Sequence, residues 1–224
     1  MSRLTKNIKV SVVFTTLFIS LEFIGDVSVN TTITSDYVFR RISQTNSSTT
    51  MQAGLNYQHD SGLFLETWAS NVDFGDDANA EVDYYVGYTS EINEIFSYDI
   101  TYAHYTYLGY SSAVDANYGE FVFNAYLNAF KLNLAYTADY VNAGDTAQYI
   151  GCSYDLSLLN EYVMTLQAGY SLGNAFKDNE CVDYSVTLAK ILYEFDFSAA
   201  VINTDHSNVN NADRRFIIGV SRSF

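Results

Sequence analysis

Proline is absent from all 224 residues, so every backbone amide carries a hydrogen and long strands can donate to a ladder without interruption. A sustained helical period is also missing, because apolar residues nowhere recur at three- and four-residue spacing over a long window. Mean hydropathy is -0.03, far below that of a protein crossing the bilayer with helices. Bases are scarce, with 11 Lys and Arg against 26 Asp and Glu and a net charge of -15. That sign opposes the phosphate attraction that dominates nucleic-acid binding, so no nucleic-acid partner is expected. Only two cysteines occur, Cys152 and Cys181, without the C-x-x-C or Cys/His spacing of a metal centre. No metal and no cofactor are expected.

What the chain does have is regularity. From about Val27 to Phe224 it divides into roughly twelve segments of about eight to twelve residues. Short connections at 59–62, 90–94, 128–129, 157–161 and 190–193 alternate with longer ones at 42–48, 73–80, 108–116, 141–145, 172–181 and 203–211. In an up-and-down barrel every second connection lies at the same mouth, the short turns being periplasmic and the long loops outward. The expected fold is therefore all-β, an antiparallel up-and-down transmembrane β-barrel of about twelve strands in a bacterial outer membrane, with both termini periplasmic.

Within the segments, residues alternate as a wall with lipid on one side and water on the other requires. Phe130, Leu132, Leu134, Tyr136 and Ala138 interleave with Lys131, Asn133, Ala135, Thr137 and Asp139, and Met51, Ala53, Leu55 and Tyr57 with Gln52, Gly54, Asn56 and Gln58. Taking the apolar parity as outward, the residues nearest the short turns are Tyr57, Tyr88, Phe96, Phe130, Tyr154, Tyr162, Phe195 and Phe224. At the loop end they are Phe39, Tyr84, Tyr102, Tyr140, Tyr170, Tyr184 and Phe216. Two aromatic belts are what a membrane barrel needs, whereas a soluble β-sandwich would not gather aromatics at both strand ends. On the same parity Cys152 faces outward on strand eight and Cys181 begins strand ten. Neighbouring strands lie about 4.8 Å apart, so a pair separated by a strand is near or beyond disulfide reach, and two isolated thiols are expected.

Arg3, Lys6 and Lys9 precede an apolar run from Val10 to Leu21, followed at once by Glu22 and Asp26. The run is short for a membrane helix and reads as a secretory leader over 1–25, ahead of a barrel over 26–224. No A-x-A site marks the cleavage bond.

The residues left facing inward are the candidates for function. Asp36, Arg40, Glu66, Asp83, Asp99, Glu120, Lys131 and Asp139 are expected to line the pore, joined by Asp155, Asp183, Asp196 and Arg215. Barrels of about eight strands are filled by side chains and those of sixteen to eighteen hold open channels, so about twelve strands imply a narrow wet path. Its excess of carboxylates favours cations, with Glu66 and Asp99, away from the outer mouth, best placed to tune it.

An enzyme is not expected. His59 falls in a short turn and His206 in a long loop, while His104 faces outward near the loop end with no serine on the next strand to activate. Ser111 and Ser112, in the adjoining loop, are the serines that a barrel hydrolase would have to bring to His104. Asp73, Asp76, Asp77, Glu81 and Asp83 cluster about one loop but lack the spacing of an EF-hand.

Residues 34–45, Thr-Ser-Asp-Tyr-Val-Phe-Arg-Arg-Ile-Ser-Gln-Thr, and 62–74, Gly-Leu-Phe-Leu-Glu-Thr-Trp-Ala-Ser-Asn-Val-Asp-Phe, resemble the bacterial family of conserved hypothetical proteins labelled TorF-family porins. The similarity covers most of the mature chain, and Arg41 departs from it, standing where that family's motif has glycine. The resemblance implies an outer-membrane barrel and a pore. Phe216 to Phe224 also resembles the closing strand of outer-membrane proteins, which ends in an aromatic residue. The expected function is a passive, cation-preferring channel for small solutes, surrounded by outer-membrane lipids. A structural or adhesive surface protein with a plugged lumen is the alternative, and a barrel hydrolase the weaker one.

Overall fold

The computed structural model describes residues 25–110, 115–177, 179–205 and 212–224. The leader expected over 1–25 lies outside them except for Gly25, as do Ser111, Ser112 and His206. The strands in chain order are β1 (Asp26–Thr34), β2 (Val38–Phe39), β3 (Ile42–Ser43), β4 (Thr50–Gln58), β5 (Leu63–Asn71), β6 (Ala80–Asn93) and β7 (Phe96–Leu108). They continue as β8 (Tyr118–Leu127), β9 (Phe130–Thr137), β10 (Ala147–Ser157), β11 (Val163–Leu172), β12 (Cys181–Leu192), β13 (Phe195–Thr204) and β14 (Arg215–Ser223). All but β2 and β3 form one closed antiparallel barrel in which each strand pairs with the next.

Closure joins β1 to β14, with Asn30 opposite Ser223 and Thr34 opposite Gly219. Phe224 completes the seam, its N–H donating to the Val29 carbonyl at 2.8 Å and its carbonyl accepting from the Val29 N–H at 3.1 Å. A closed ladder leaves no strand edge, the condition for crossing hydrocarbon.

The wall is apolar outside and polar within, the reverse of a soluble core. Met51, Leu55, Leu65, Val86, Ile100, Leu134, Ile150 and Val201 are exposed on the outer face, whereas Glu81, Asp83, Glu120, Thr165 and Thr187 are buried inside. Leu134 lies opposite Phe123 and Ile150, where a charge would face lipid at a cost of about 2–4 kcal/mol. Cys152 is exposed on β10 and Cys181 buried at the start of β12, both free, with β11 between them.

Three expectations need correction. β6 and β7 run on to a turn at Glu94 and Ile95 rather than at 90–94. The Asn93 side-chain oxygen explains the shift, since it accepts from the Ile95 and Phe96 N–H groups, both at 3.0 Å, and so builds the turn itself. Phe39 is not in the lipid belt, because the wall strand ends at Thr34 and residues 35–49 turn into the barrel, where the Phe39 ring meets Tyr105 at 5.9 Å. Tyr140 likewise leaves the wall in the 138–146 connection and packs on Tyr118 at 5.2 Å inside the mouth.

Candidate functional site

The segment 35–49 is the feature that separates this barrel from an empty tube. β2 and β3 pair as a hairpin, Val38 opposite Ser43 and Phe39 opposite Ile42, with Arg40 and Arg41 as its two-residue turn. Both turn residues have positive φ, 43° and 81°. Such turns favour Asn-Gly, and a side chain in the left-handed region costs roughly 1–2 kcal/mol per residue. The hairpin is therefore held by what it touches.

Asp36 anchors its base. One carboxylate oxygen accepts from the Ser43 hydroxyl at 2.6 Å and the Thr45 hydroxyl at 2.9 Å, and the other from Arg215 on β14 at 3.0 Å. Arg215 also donates to Ser47. The Gln44 N–H donates to the Tyr37 carbonyl at 2.7 Å, closing the hairpin, and the Asp73 N–H donates to the Gln44 carbonyl at 2.8 Å, tying it to the next loop. The Tyr37 ring stands edge-on to Trp68 at 5.1 Å.

Arg40 crosses the lumen to the opposite wall. Its guanidinium makes a two-pronged pair with Glu120 at 2.8 and 2.7 Å, and Tyr105 donates to the same carboxylate at 3.1 Å. The guanidinium carbon sits 4.6 Å from the Phe39 ring and 4.7 Å from the Tyr149 ring. Tyr149 can lie flat there because Gly151 and Gly169 face each other across β10 and β11, and a Cβ at Gly169 would overlap its hydroxyl. Burial works against the charge on Arg40, but the adjoining Glu120 carboxylate outweighs it and holds the pKa above the ordinary arginine value.

Arg41 has a different environment. Only 3% exposed, it donates through one nitrogen to the Asn179 carbonyl at 3.4 Å, while its Nε and other terminal nitrogen have no partner among the described residues. Burial draws its pKa below the ordinary value, opposed by Asp183 and Tyr140. Above the hairpin lies a cavity of about 370 Å³ bordered by Arg41, Phe74, Tyr107, Asp115, Tyr140 and Phe176. A row of rings runs across this level, Phe39 to Tyr105, Tyr105 to Tyr118 at 4.8 Å, Tyr118 to Tyr140, and Tyr140 to Phe176 at 5.3 Å.

Nearer the short turns the lumen is lined by smaller polar groups. Asp99 accepts from Asn124 at 2.9 Å, Tyr126 at 3.0 Å and Thr101 at 3.3 Å. Asn133 donates to Asn124 at 2.8 Å, Thr165 donates to Asp155 at 2.7 Å, and the Lys131 ammonium lies 5.3 Å from the Tyr126 ring centre. Glu66 is half-buried on β5, opposite Asn56 and Tyr85.

Of the residues expected to line the pore, Glu66, Asp83, Asp99, Glu120 and Lys131 stand at inward positions of the wall. Asp36 and Arg40 are inside the barrel but on the hairpin, because β1 ends at Thr34. Asp139 is not on a strand. It is exposed in the 138–146 connection, where its carboxylate accepts from the Gly144 N–H at 2.6 Å. Arg41 was not among the expected residues, although a chain so short of bases that places two side by side carries a visible signal there. Elsewhere, His59 is occupied in its turn by Ser61, 2.8 Å from ring nitrogen to hydroxyl, and His104 lies opposite Tyr84 and Gly119, neither an aliphatic hydroxyl. Among the described residues no group of three or more His, Cys, Asp or Glu side chains converges to hold a metal.

A closed barrel with an apolar outer band and a polar interior defines the protein as a transmembrane β-barrel of the outer-membrane kind. More particularly, residues 25–223 match the family described as "Bacterial protein of unknown function (Gcw_chp)", and the chain belongs to that family. No curated protein matches it. Among solved structures it is similar to the KdgM porin, with 13% identity, 88% of this chain and 99% of that chain covered, and a TM-score of 0.59. The KdgM porin in complex with disordered oligogalacturonate aligns at the same identity and coverage with a TM-score of 0.57. OprD of Pseudomonas aeruginosa is more distant, at 11% identity over 92% of this chain and 68% of that one, with a TM-score of 0.45. The likeness to KdgM is one of fold, that of an outer-membrane porin barrel.

Proposed function

We propose that the protein is a passive, porin-like channel for small solutes in the bacterial outer membrane, made after removal of a leader over 1–25 and narrowed by the hairpin within 35–49. The observation that carries this reading is the hairpin itself: it enters a closed, polar-lined barrel and is held there by side chains, with a cavity on its outer side. The resemblance to TorF-family porins and the fold of KdgM support it.

The channel prefers cations. Arg40 is matched by Glu120 and Arg215 by Asp36, which leaves Glu66, Glu81, Asp83, Asp99, Asp155, Asp183 and Asp196 facing Arg41 and Lys131. Oligogalacturonate, the ligand of the KdgM complex, is a polyanion, and this lumen has the wrong sign for one. The test is current through the refolded protein in a planar bilayer, with the reversal potential read in a salt gradient. Cation-selective current is expected. A silent protein would favour a plugged surface scaffold, and anion selectivity would refute the charge argument.

A further inference from the structure

The outer cavity contains a charge that the fold leaves incompletely satisfied. Arg41 occupies the second turn position of an inserted hairpin, at φ 81°, where glycine would be free of strain. It is nine-tenths and more buried, it borders the cavity, and its Nε and one terminal nitrogen have no partner among the described residues. Arg40 beside it is fully engaged by Glu120. A strained turn residue with a buried, half-used guanidinium breaks two local rules at once, and such violations gather at functional sites.

The surroundings specify what the cavity would take. A planar guanidinium fits a carboxylate, and the two unpartnered nitrogens of Arg41 lie just under the cavity wall, where a small shift of the side chain brings them to a solute. The walls next to it are ring faces and edges from Phe74, Tyr107, Tyr140 and Phe176, suited to an apolar or ring-bearing body. Asp115 borders the same cavity. Asp183, whose field acts on Arg41, is buried and keeps one oxygen without a partner among the described residues. A purely anionic solute would meet these carboxylates and the acidic lumen below. A solute that also carries an ammonium group would not be opposed by them.

We propose that this cavity is a recognition site for small zwitterionic solutes with an apolar or aromatic body, the class of the free amino acids, with Arg41 holding the carboxylate. The assignment rests on the channel reading for its meaning as a step in passage, since it names the solute that the constriction would select. One charge-assisted contact gives a site that can fill and also empty, as conduction requires.

Calorimetric titration of the refolded barrel in detergent tests this without any current. Phenylalanine is expected to bind saturably, 3-phenylpropionate, which lacks the ammonium, a few-fold more weakly, and phenethylamine, which lacks the carboxylate, about tenfold or more weakly. Arg41→Gln should weaken phenylalanine by about tenfold or more, and Arg41→Lys, which keeps the charge without the fork, by less. Lys190→Ala, at the short-turn end of β12, should leave binding unchanged. Heat-modifiable gel mobility verifies that each variant is a folded barrel, and Arg41→Lys keeps the test decisive if Arg41→Gln fails to fold. No saturable phenylalanine binding to the folded wild type would overturn the proposal, as would equal binding of phenethylamine or an unaltered Arg41→Gln titration. A protein that conducts but does not bind phenylalanine refutes this inference alone, whereas one that binds it without conducting refutes the channel reading and leaves the site standing.

Discussion

In the outer half of the lumen the side chains of Asp36, Glu81, Asp83, Glu120 and Asp183 are buried, and rings from Phe39 to Phe176 fill the space between them. Toward the short turns, Glu66, Asp99, Lys131, Asp155 and Asp196 stay half-buried around a network of Asn124, Asn133 and Tyr126. The wall is built the same way in both halves, by the same two-residue alternation. The difference comes from the hairpin, which enters from the loop end and desolvates whatever it faces. Inward charges in one barrel can thus have two duties: those under the hairpin hold structure, and those beyond it set the field along the path.

The largest expected effect tests the structural half. Glu120→Ala leaves Arg40 buried between two rings without its carboxylate, and urea unfolding in detergent, followed by gel mobility, should show a loss of about 3–5 kcal/mol. Replacing both partners, Arg40→Met with Glu120→Leu, should recover most of it. Asp99→Asn, in the open half, should cost no more than about 1.5 kcal/mol by the same measurement. A greater loss at Asp99 than at Glu120 would break the contrast.

A moderate effect is expected on selectivity. Glu66→Gln combined with Asp99→Asn should move the reversal potential toward zero, while Arg40→Met combined with Glu120→Leu should move it little, because the two charges removed already cancel. The wild-type preference should also fade between about 0.1 and 1 M salt, as the screening length shrinks from about 10 to 3 Å. Equal shifts from both sets of variants would mean that the two halves share one role.

The smallest effect concerns the turn. Arg41→Gly removes a side chain from a left-handed position and should stabilise the barrel by about 1 kcal/mol in urea unfolding. A destabilised variant would show that the contacts of Arg41 outweigh its backbone cost.

The wall was legible in the sequence because its period is two and its outward face is apolar, so strand count, short turns and most aromatic positions could be read from one line of residues. Asn93 shows the limit of that reading: a side-chain oxygen that caps its own turn displaced the β6–β7 connection without changing the alternation. The hairpin was misread for a related reason. Val38, Phe39 and Ile42 keep an apolar, strand-like character, and nothing local distinguishes a ring bound for lipid from one bound for the Arg40 stack. Only the tertiary partners Glu120, Tyr149 and Arg215 decide it, and they are remote in sequence. The two-residue alternation fixes which charged residues stand at inward positions of the wall, but not their pairing, since pairing depends on which element crosses the barrel.

The central claim is that the hairpin is the constriction of a conducting barrel, and its removal tests that most directly. Tyr37 and Gln44 are already joined by a 2.7 Å hydrogen bond, so Val38–Ser43 can be replaced by Asn-Gly without disturbing the wall. Single-channel conductance of this variant should exceed that of the wild type several-fold in the same salt, with cation preference retained. Equal conductances would contradict the hairpin as the constriction, and silence from both folded proteins would contradict the channel.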